Sequence, residues 1–408
     1  MENNEAKELI KSLENKSKVL FSKIDDIALF NQEKVLNAFR EERVGLTSFN
    51  PSSGYGYDDI ARPKLCALYA RIFGAESAFV SPNITCGTHA LYLALVAALK
   101  PGDLMLSITG EPYDTLKDCI VGTECGSLES FGIKFAKINM LGSKINIKRA
   151  LYVIQEKKPK MVYIQRSRGY SARNTLAIDY IEDVITAIKK VAPQTIVMVD
   201  NCYGEFCETK EPTEVGADLM AGSLIKNIGG GLAPTGGYIA GRKDLVENAA
   251  KRLTAPSLGS EVGSYNATYM PFFEGLFIAP HVVSGVLKGN VLVGKVAKQC
   301  GFNTSPNTSS VPADIIRTIT FNNADKFTRF VQNIQKLSPV DSYVVPEAYA
   351  MPGYNDKVIM AAGTFVQGSS IELSCDGPLK SPYIAYLQGG LTYEHIKIVA
   401  IDLAENNL

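Results

Sequence analysis

The 408-residue sequence contains no tryptophan and three histidines. So few histidines make an imidazole-built metal centre a poor expectation, and no metal site is assigned. The eight cysteines are scattered, with no C-x-x-C and none at zinc spacing from a histidine, which reads as reduced, cytosolic thiols. Neither sign of charge is in excess. Forty-two basic and forty-two acidic residues cancel, which argues against a broad electrostatic surface for nucleic acid or anionic lipid. No stretch approaches the roughly 18 consecutive apolar residues of a membrane span. The opening MENNEAKELIKSLENKSKVL is charged and lacks the apolar core of a signal peptide. What is present, 46% hydrophobic and 21% charged residues, suits a globular chain with a large core. A soluble cytoplasmic enzyme is the default expectation.

Leu, Ile and Phe at three- and four-residue spacing predict helices over 3–21 and 26–43. TSFNPSSGYGYDDIARP then reads as an ordered loop. From Ala78 to about Gly241, strand-like AFVSP, LMLSI, IKFAKI, MVYIQ, IVMVD and GYIAG alternate with helical runs such as IDYIEDVITAIKKVA. That alternation predicts an α/β domain with a mostly parallel central sheet. Past about residue 250 the texture changes. RTITFNNADKFTRFVQNIQKL reads as strand then helix, VIMAAGTFVQGSSIELSCDG as a strand pair, and TYEHIKIVAIDLAENN as a last helix. The expected division is a helical arm over 1–45, a large α/β domain over 46–248 and a smaller α+β domain over 249–408.

Four stretches carry candidate chemistry. In VMVDNCYGEF, Asp200 ends a strand, either as a solvated terminus or as a fixed charge for a cationic ring nitrogen. In AGSLIKNIGGGLAPTGGYIAG, Lys226 follows Ser223 and precedes glycines 229, 230, 231, 236 and 237. It is either a surface lysine or an amine able to form a Schiff base, with glycines letting backbone crowd a planar ligand. In TCGTHALYLAL, Gly87 and Thr88 stand at a loop-to-helix junction, where free N–H groups and the helix dipole favour phosphate. Thr88 could equally be a plain N-cap. In GEPYDTL, Tyr113 could stack on a ring or simply pack a loop.

The order of these four stretches resembles that of pyridoxal 5′-phosphate enzymes of fold type I, in the cysteine/methionine-metabolism branch. GYGYDDIARPKLCALYARIFGAESAFVSP is similar to the segment preceding the phosphate turn there. GTHA, QRSRGY, MPGYNDKVIMAAGTFVQGSSIELSCDGP and YLQGGLTYEH resemble the family named for aluminium resistance, or carbon–sulfur lyases of the cystathionine and methionine type. The resemblance runs from about residue 30 to 400.

It implies that Lys226 holds the cofactor as a Schiff base and moves the substrate's Cα proton, with Tyr113 stacked on the ring. Asp200 would keep the ring nitrogen protonated. Cys86, Gly87, Thr88 and Ser223 would hold the phosphate, and Cys202 would sit beneath the ring. Tyr55, Tyr57 and Arg62 would reach the phosphate of a neighbouring subunit, so a homodimer or homotetramer is implied. Glu372 stands where relatives carry the arginine for the substrate carboxylate, and would repel that group. Arg168 and Arg173 are the expected substitutes, with Arg166, Arg317 and Lys380 behind them. The implied activity is β- or γ-elimination of a thiol from a sulfur-containing amino acid. Transamination, aldol-type cleavage or cofactor binding without catalysis are the alternatives.

Overall fold

A computed structural model describes residues 2–122, 126–351, 354 and 356–407. Pro352, Gly353 and Asn355 of the MPGYND stretch lie outside the described residues. The chain opens with α1 (Asn3–Asn15) and α2 (Lys18–Glu41). The break between them falls at Lys16 and Ser17, earlier than expected, where the Ser17 hydroxyl donates back to the Leu13 carbonyl. Helix α2 runs unbroken because Ile24, Asn31, Val35 and Ala38 form one buried stripe along it.

The central sheet has seven strands: β1 (Ser77–Ser81), β2 (Leu104–Ser107), β3 (Lys134–Lys137), β4 (Met161–Gln165), β5 (Ile196–Asp200), β6 (Leu219–Ser223) and β7 (Gly237–Gly241). Their order is β1-β7-β6-β5-β4-β2-β3. Strands β2 to β6 pair in parallel, and β7 runs antiparallel to both β6 and β1. This is the mostly parallel sheet that the alternating pattern predicts. Strands β4, β5 and β6 are buried along their whole length, as strands covered on both faces must be.

Alternate residues feed two separate cores. Helices α3 (Ala61–Ile72), α6 (Ile147–Lys157) and α7 (Ile178–Val191) cover one face, meeting Val162, Val197 and Met220. Helices α4 (Gly87–Ala98), α5 (Asp114–Ile120) and α8 (Lys243–Leu253) cover the other, meeting Tyr163, Met198 and Ala221. In α7 the buried residues are Ile178, Ile181, Val184, Ile185 and Ile188, the three- and four-residue period legible in its sequence.

The remainder comprises α9 (Met270–Gln299), β8 (Asn303–Ser305), β9 (Ile316–Thr320), α10 (Ala324–Lys336), β10 (Val358–Ala361), β11 (Ser374–Pro378), β12 (Ile384–Gln388) and α11 (Tyr393–Glu405). Its five strands form an antiparallel sheet in the order β10-β11-β12-β9-β8. Helix α9 has no counterpart in the sequence pattern. It carries Pro280 and four glycines, and it is buried on nearly every side, so no amphipathic period marks it. Among the described residues it is the one helix long and apolar enough to cross a membrane, and 72% of that apolar window is buried inside the fold.

Candidate active site

Strands β4 and β5 end level with each other, at Gln165 and Asp200, and β6 runs two residues further, to Ser223. Gln165 lies opposite Asp200 in the ladder, and Asp200 opposite Ala221. Loops leaving such an edge are where open α/β sheets bind ligands. Here they border a cavity of about 740 Å³ whose other wall comes from the small sheet.

Asp200, Lys226, Ser223, Cys86, Gly87, Thr88, Tyr113 and Cys202 all line this one cavity, so the structure brings the predicted group together. The Asp200 carboxyl accepts from the Cys202 backbone N–H at 3.1 Å and faces the Tyr163 hydroxyl at 3.4 Å. Burial pushes its pKa above the ordinary carboxylate value, opposed by the Lys226 ammonium and these hydrogen bonds. The Lys226 ammonium rests 4.0 Å from the centre of the Tyr203 ring. Burial works against its charge, but the acidic groups of Cys202, Tyr203, Tyr113 and Asp200 raise its pKa well above the usual lysine value. The carboxylate of Asp200 is the attraction that stands near neutral pH.

The opposite pole is the start of α4. Its N-cap is Cys86, whose sulfur accepts from the His89 backbone N–H at 3.4 Å. Thr88 is therefore the second residue of the helix, not its cap. Its hydroxyl contacts the Tyr113 hydroxyl at 2.9 Å and that of Thr115 at 3.1 Å. A Cβ at Gly87 would come 3.2 Å from the Ser223 Cβ, so glycine keeps this junction open beside a buried serine. Burial pushes the Tyr113 phenol well up, keeping it neutral, and the Gln165 side chain fixes its backbone N–H at 2.9 Å.

A pyridoxal phosphate fits these groups. The α4 N-terminus and Ser223 supply phosphate donors, Asp200 a buried anion for the ring nitrogen, and Lys226 an amine in the same cavity. The glycines after Lys226 do something other than face a planar ligand. A Cβ at Gly229 would strike the Leu224 carbonyl, and one at Gly230 the Gly275 carbonyl of α9. They let the loop after Lys226 pack directly on the buried helix.

The arginines separate clearly. Arg166 is buried beneath Gly204, where it is held by Glu208 and Asn201. Arg317 donates to the Asn290 and Pro306 carbonyls, and burial pulls its pKa down to about 9. Lys380 is exposed and pairs with Asp356. None of the three lines the cavity. Arg173 does, but its guanidinium is spent on the carbonyls of Gln165, Arg166, Ser167 and Asn174. Arg168 also lines it, reaching Ser305 at 3.3 Å and Thr318 at 3.4 Å, and among the described residues its Nε and second terminal nitrogen meet no acceptor. Glu372 does not threaten an anion there. It is buried away from the cavity, accepting the backbone N–H groups of Phe365 and Val366 at 2.8 and 2.9 Å.

Tyr55 and Tyr57 lie outside this cavity. They are exposed and stacked on each other, with ring centres 5.3 Å apart. Arg62 turns inward to Asp59 and the Gly56 and Glu261 carbonyls. Tyr203, Tyr170, Tyr354, Asp376 and Tyr386 are cavity residues that the sequence did not single out. Tyr203 sits beside a recognised motif, in DNCY. The others lie inside the segments that carry the resemblance, Tyr170 in QRSRGY, Tyr354 in MPGYND, Asp376 in SCDGP and Tyr386 in YLQGG, and only strand register and loop path aim them at the cavity.

Residues 6–408 match the family model described as methionine gamma-lyase. The chain is 47% identical to a carbon–sulfur lyase involved in aluminium resistance from Clostridium novyi, whose crystal structure superposes with a TM-score of 0.94 over 99% of this chain and 96% of that one. It is 46% identical over 382 residues to the uncharacterised protein YnbB of Bacillus subtilis, covering 93% of this chain and 90% of the relative. The fold alone is shared with the pyridoxal-phosphate-dependent protein YhfS of Escherichia coli, at 16% identity and a TM-score of 0.63 over 94% of this chain and 97% of that one. The chain belongs to the methionine gamma-lyase family of pyridoxal-phosphate-dependent enzymes, with the type I fold.

Proposed function

We propose that the protein cleaves the carbon–sulfur bond of a sulfur-containing amino acid of the cystathionine, cysteine or methionine type. The observation that carries this reading is the one cavity lined together by Lys226, the Asp200 carboxyl and the α4 N-terminus. When bound, pyridoxal phosphate supplies an electron sink for the charge left on Cα after deprotonation. In this reading Lys226 is the group that holds the cofactor and then carries the Cα proton. Asp200 keeps a positive charge on the ring nitrogen, and Cys202 packs beneath the ring. Tyr113 stacks on the ring's face and offers its neutral hydroxyl to the leaving sulfur. Gly87, Thr88 and the backbone of Cys86, with the Ser223 hydroxyl, hold the phosphate.

Arg168 is the better clamp for the substrate carboxylate, because its fork has unpaired donors and a planar guanidinium suits bidentate binding. Arg173 shapes the loop that presents it. Tyr55 and Tyr57, exposed outside the cavity, are assigned to the active site of a second subunit in a homodimer or homotetramer.

Incubating the holoenzyme with L-cystathionine, L-cysteine and L-methionine in turn, while assaying thiol and 2-oxo acid, tests this reading. Thiol with pyruvate marks β-elimination, and thiol with 2-oxobutyrate marks γ-elimination. Lys226→Ala is expected to lose the visible absorbance of the bound cofactor and all turnover; turnover surviving in that variant would sink the assignment.

A further inference from the structure

Met360, Asp376 and Tyr386 of the small sheet line the cavity and belong to one row of residues that crosses the sheet. Met360 lies opposite Asp376, Asp376 opposite Tyr386, Tyr386 opposite Thr318, and Thr318 opposite Ser305. Directly opposed residues present their side chains on the same face of a sheet. At one end of the row the Arg168 guanidinium lies on Thr318 and Ser305. Near the other end is Asp376, two strand spacings from Thr318, or roughly 10 Å between backbones. The wall thus carries a cation and an anion at separate points, both with unused hydrogen-bonding capacity.

Asp376 has no structural task that accounts for it. Among the described residues it makes no ion pair, and its Oδ1 is buried without a donor; Oδ2 has one long contact, with the Gln388 amide at 3.5 Å. Three tyrosines line the cavity around it. The Tyr170 ring centre is 5.0 Å from that of Tyr386 and 5.7 Å from that of Tyr354, with the Tyr170 hydroxyl in the neighbourhood of the Asp376 carboxyl. Aromatic faces beside a carboxylate are the surroundings that recognise a protonated amine. The chain's own candidate cation, Lys226, attracts Asp376 but is committed to the cofactor in the reading above.

Resting on that lyase reading, we propose that Asp376, walled by Tyr170, Tyr354 and Tyr386, binds an ammonium group at the far end of the substrate's side chain, beyond the sulfur. Arg168 then takes the α-carboxylate and Asp376 the distal amine, so the enzyme selects amino acids with a second cationic end over those ending in an alkyl group. Burial, which pushes the Asp376 carboxyl up to about 7, makes the same point: the site leaves its anion unmatched until a cation arrives. A side chain without the amine would force the carboxyl to stay buried and unpaired, and sites of this kind reject such analogues strongly.

Two near-isosteric probes decide the matter: S-aminoethyl-L-cysteine, which carries the distal amine, and S-propyl-L-cysteine, which does not. Their binding to the holoenzyme is measured by calorimetry and their cleavage by thiol release, in the wild type and in Asp376→Asn. The wild type is expected to favour the aminoethyl compound roughly ten- to hundred-fold in both binding and kcat/KM, the worth of one hydrogen bond to a charged group. Asp376→Asn is expected to lose that preference in binding while keeping the visible cofactor band. Discrimination in binding that Asp376→Asn abolishes, without thiol release from either probe, upholds the role of Asp376 and refutes the lyase reading. Thiol release from both probes at equal efficiency, or a preference that survives Asp376→Asn, overturns the proposal and leaves the lyase reading standing. Failure of the holoenzyme to bind either probe overturns it as well.

Discussion

The large-sheet wall of the cavity is assembled from short contiguous segments, and the small-sheet wall from single residues contributed by separate strands. On the first wall, Asp200 with Cys202, Ser223 with Lys226, and Cys86 with Gly87 and Thr88 each come from a few consecutive positions at the carboxyl edge of the sheet. On the second, Tyr386, Asp376 and Met360 come from three different strands and meet only through ladder register. The first wall suits holding a cofactor of fixed shape, and the second suits tuning for a particular substrate. Damage to the two should therefore differ in kind: the first in kcat, the second in KM and substrate preference.

The largest expected effect lies on the first wall. Asp200→Asn keeps the side-chain shape but removes the buried charge that would keep the ring nitrogen protonated. The expected result is roughly a hundred-fold loss of kcat, about 3 kcal/mol of barrier, read with saturating substrate, together with a shifted visible spectrum. A variant with unchanged kcat would show that the two walls are not divided in this way. On the second wall, Arg168→Lys exchanges a planar fork for a point charge. Loss of one charged hydrogen bond should raise KM roughly ten-fold or more, with kcat within a few-fold of wild type and the cofactor spectrum unaltered. A loss confined to kcat would move Arg168 to the chemistry.

The smallest effect concerns stability beneath the first wall. Glu205 is buried there against the Tyr238 hydroxyl at 2.7 Å, and burial pushes its pKa up to about 8. The folded protein therefore keeps this proton above the pH at which the unfolded chain releases it, near 4.5. Its contribution is intact at lower pH and is lost as pH rises towards about 8, with no further change above. Glu205→Gln should remove this slope in denaturant titrations, matching wild type near pH 5 and exceeding it by a few kcal/mol at pH 9. Parallel curves for the two proteins would mean that Glu205 is ionised in the fold.

The same contrast explains what is legible in the sequence. Strand-end residues of a parallel sheet come with their own apolar run, so Asp200 after IVMV and Ser223 ahead of Lys226 can be placed from the order of residues alone. Asp376 and Tyr386 cannot, because register is set by the folded sheet and one residue of slip would turn each to the other face. Helix α9 is hidden by its own burial, and the glycines after Lys226 invite the wrong reading because the atoms they make room for belong to the surrounding fold, such as Leu224 at Gly229 and Gly275 of α9 at Gly230. Glu372 threatens substrate binding only as long as its neighbours are unknown; two backbone N–H groups hold it away from the cavity.

The central claim is that Lys226 is the residue that holds the cofactor. Borohydride reduction of the holoenzyme, which fixes a lysine–pyridoxal linkage, followed by peptide mass spectrometry, tests it most directly. A pyridoxyl-phosphate mass on the peptide containing Lys226 is the expected result. The same mass on another lysine, or on none, would contradict it.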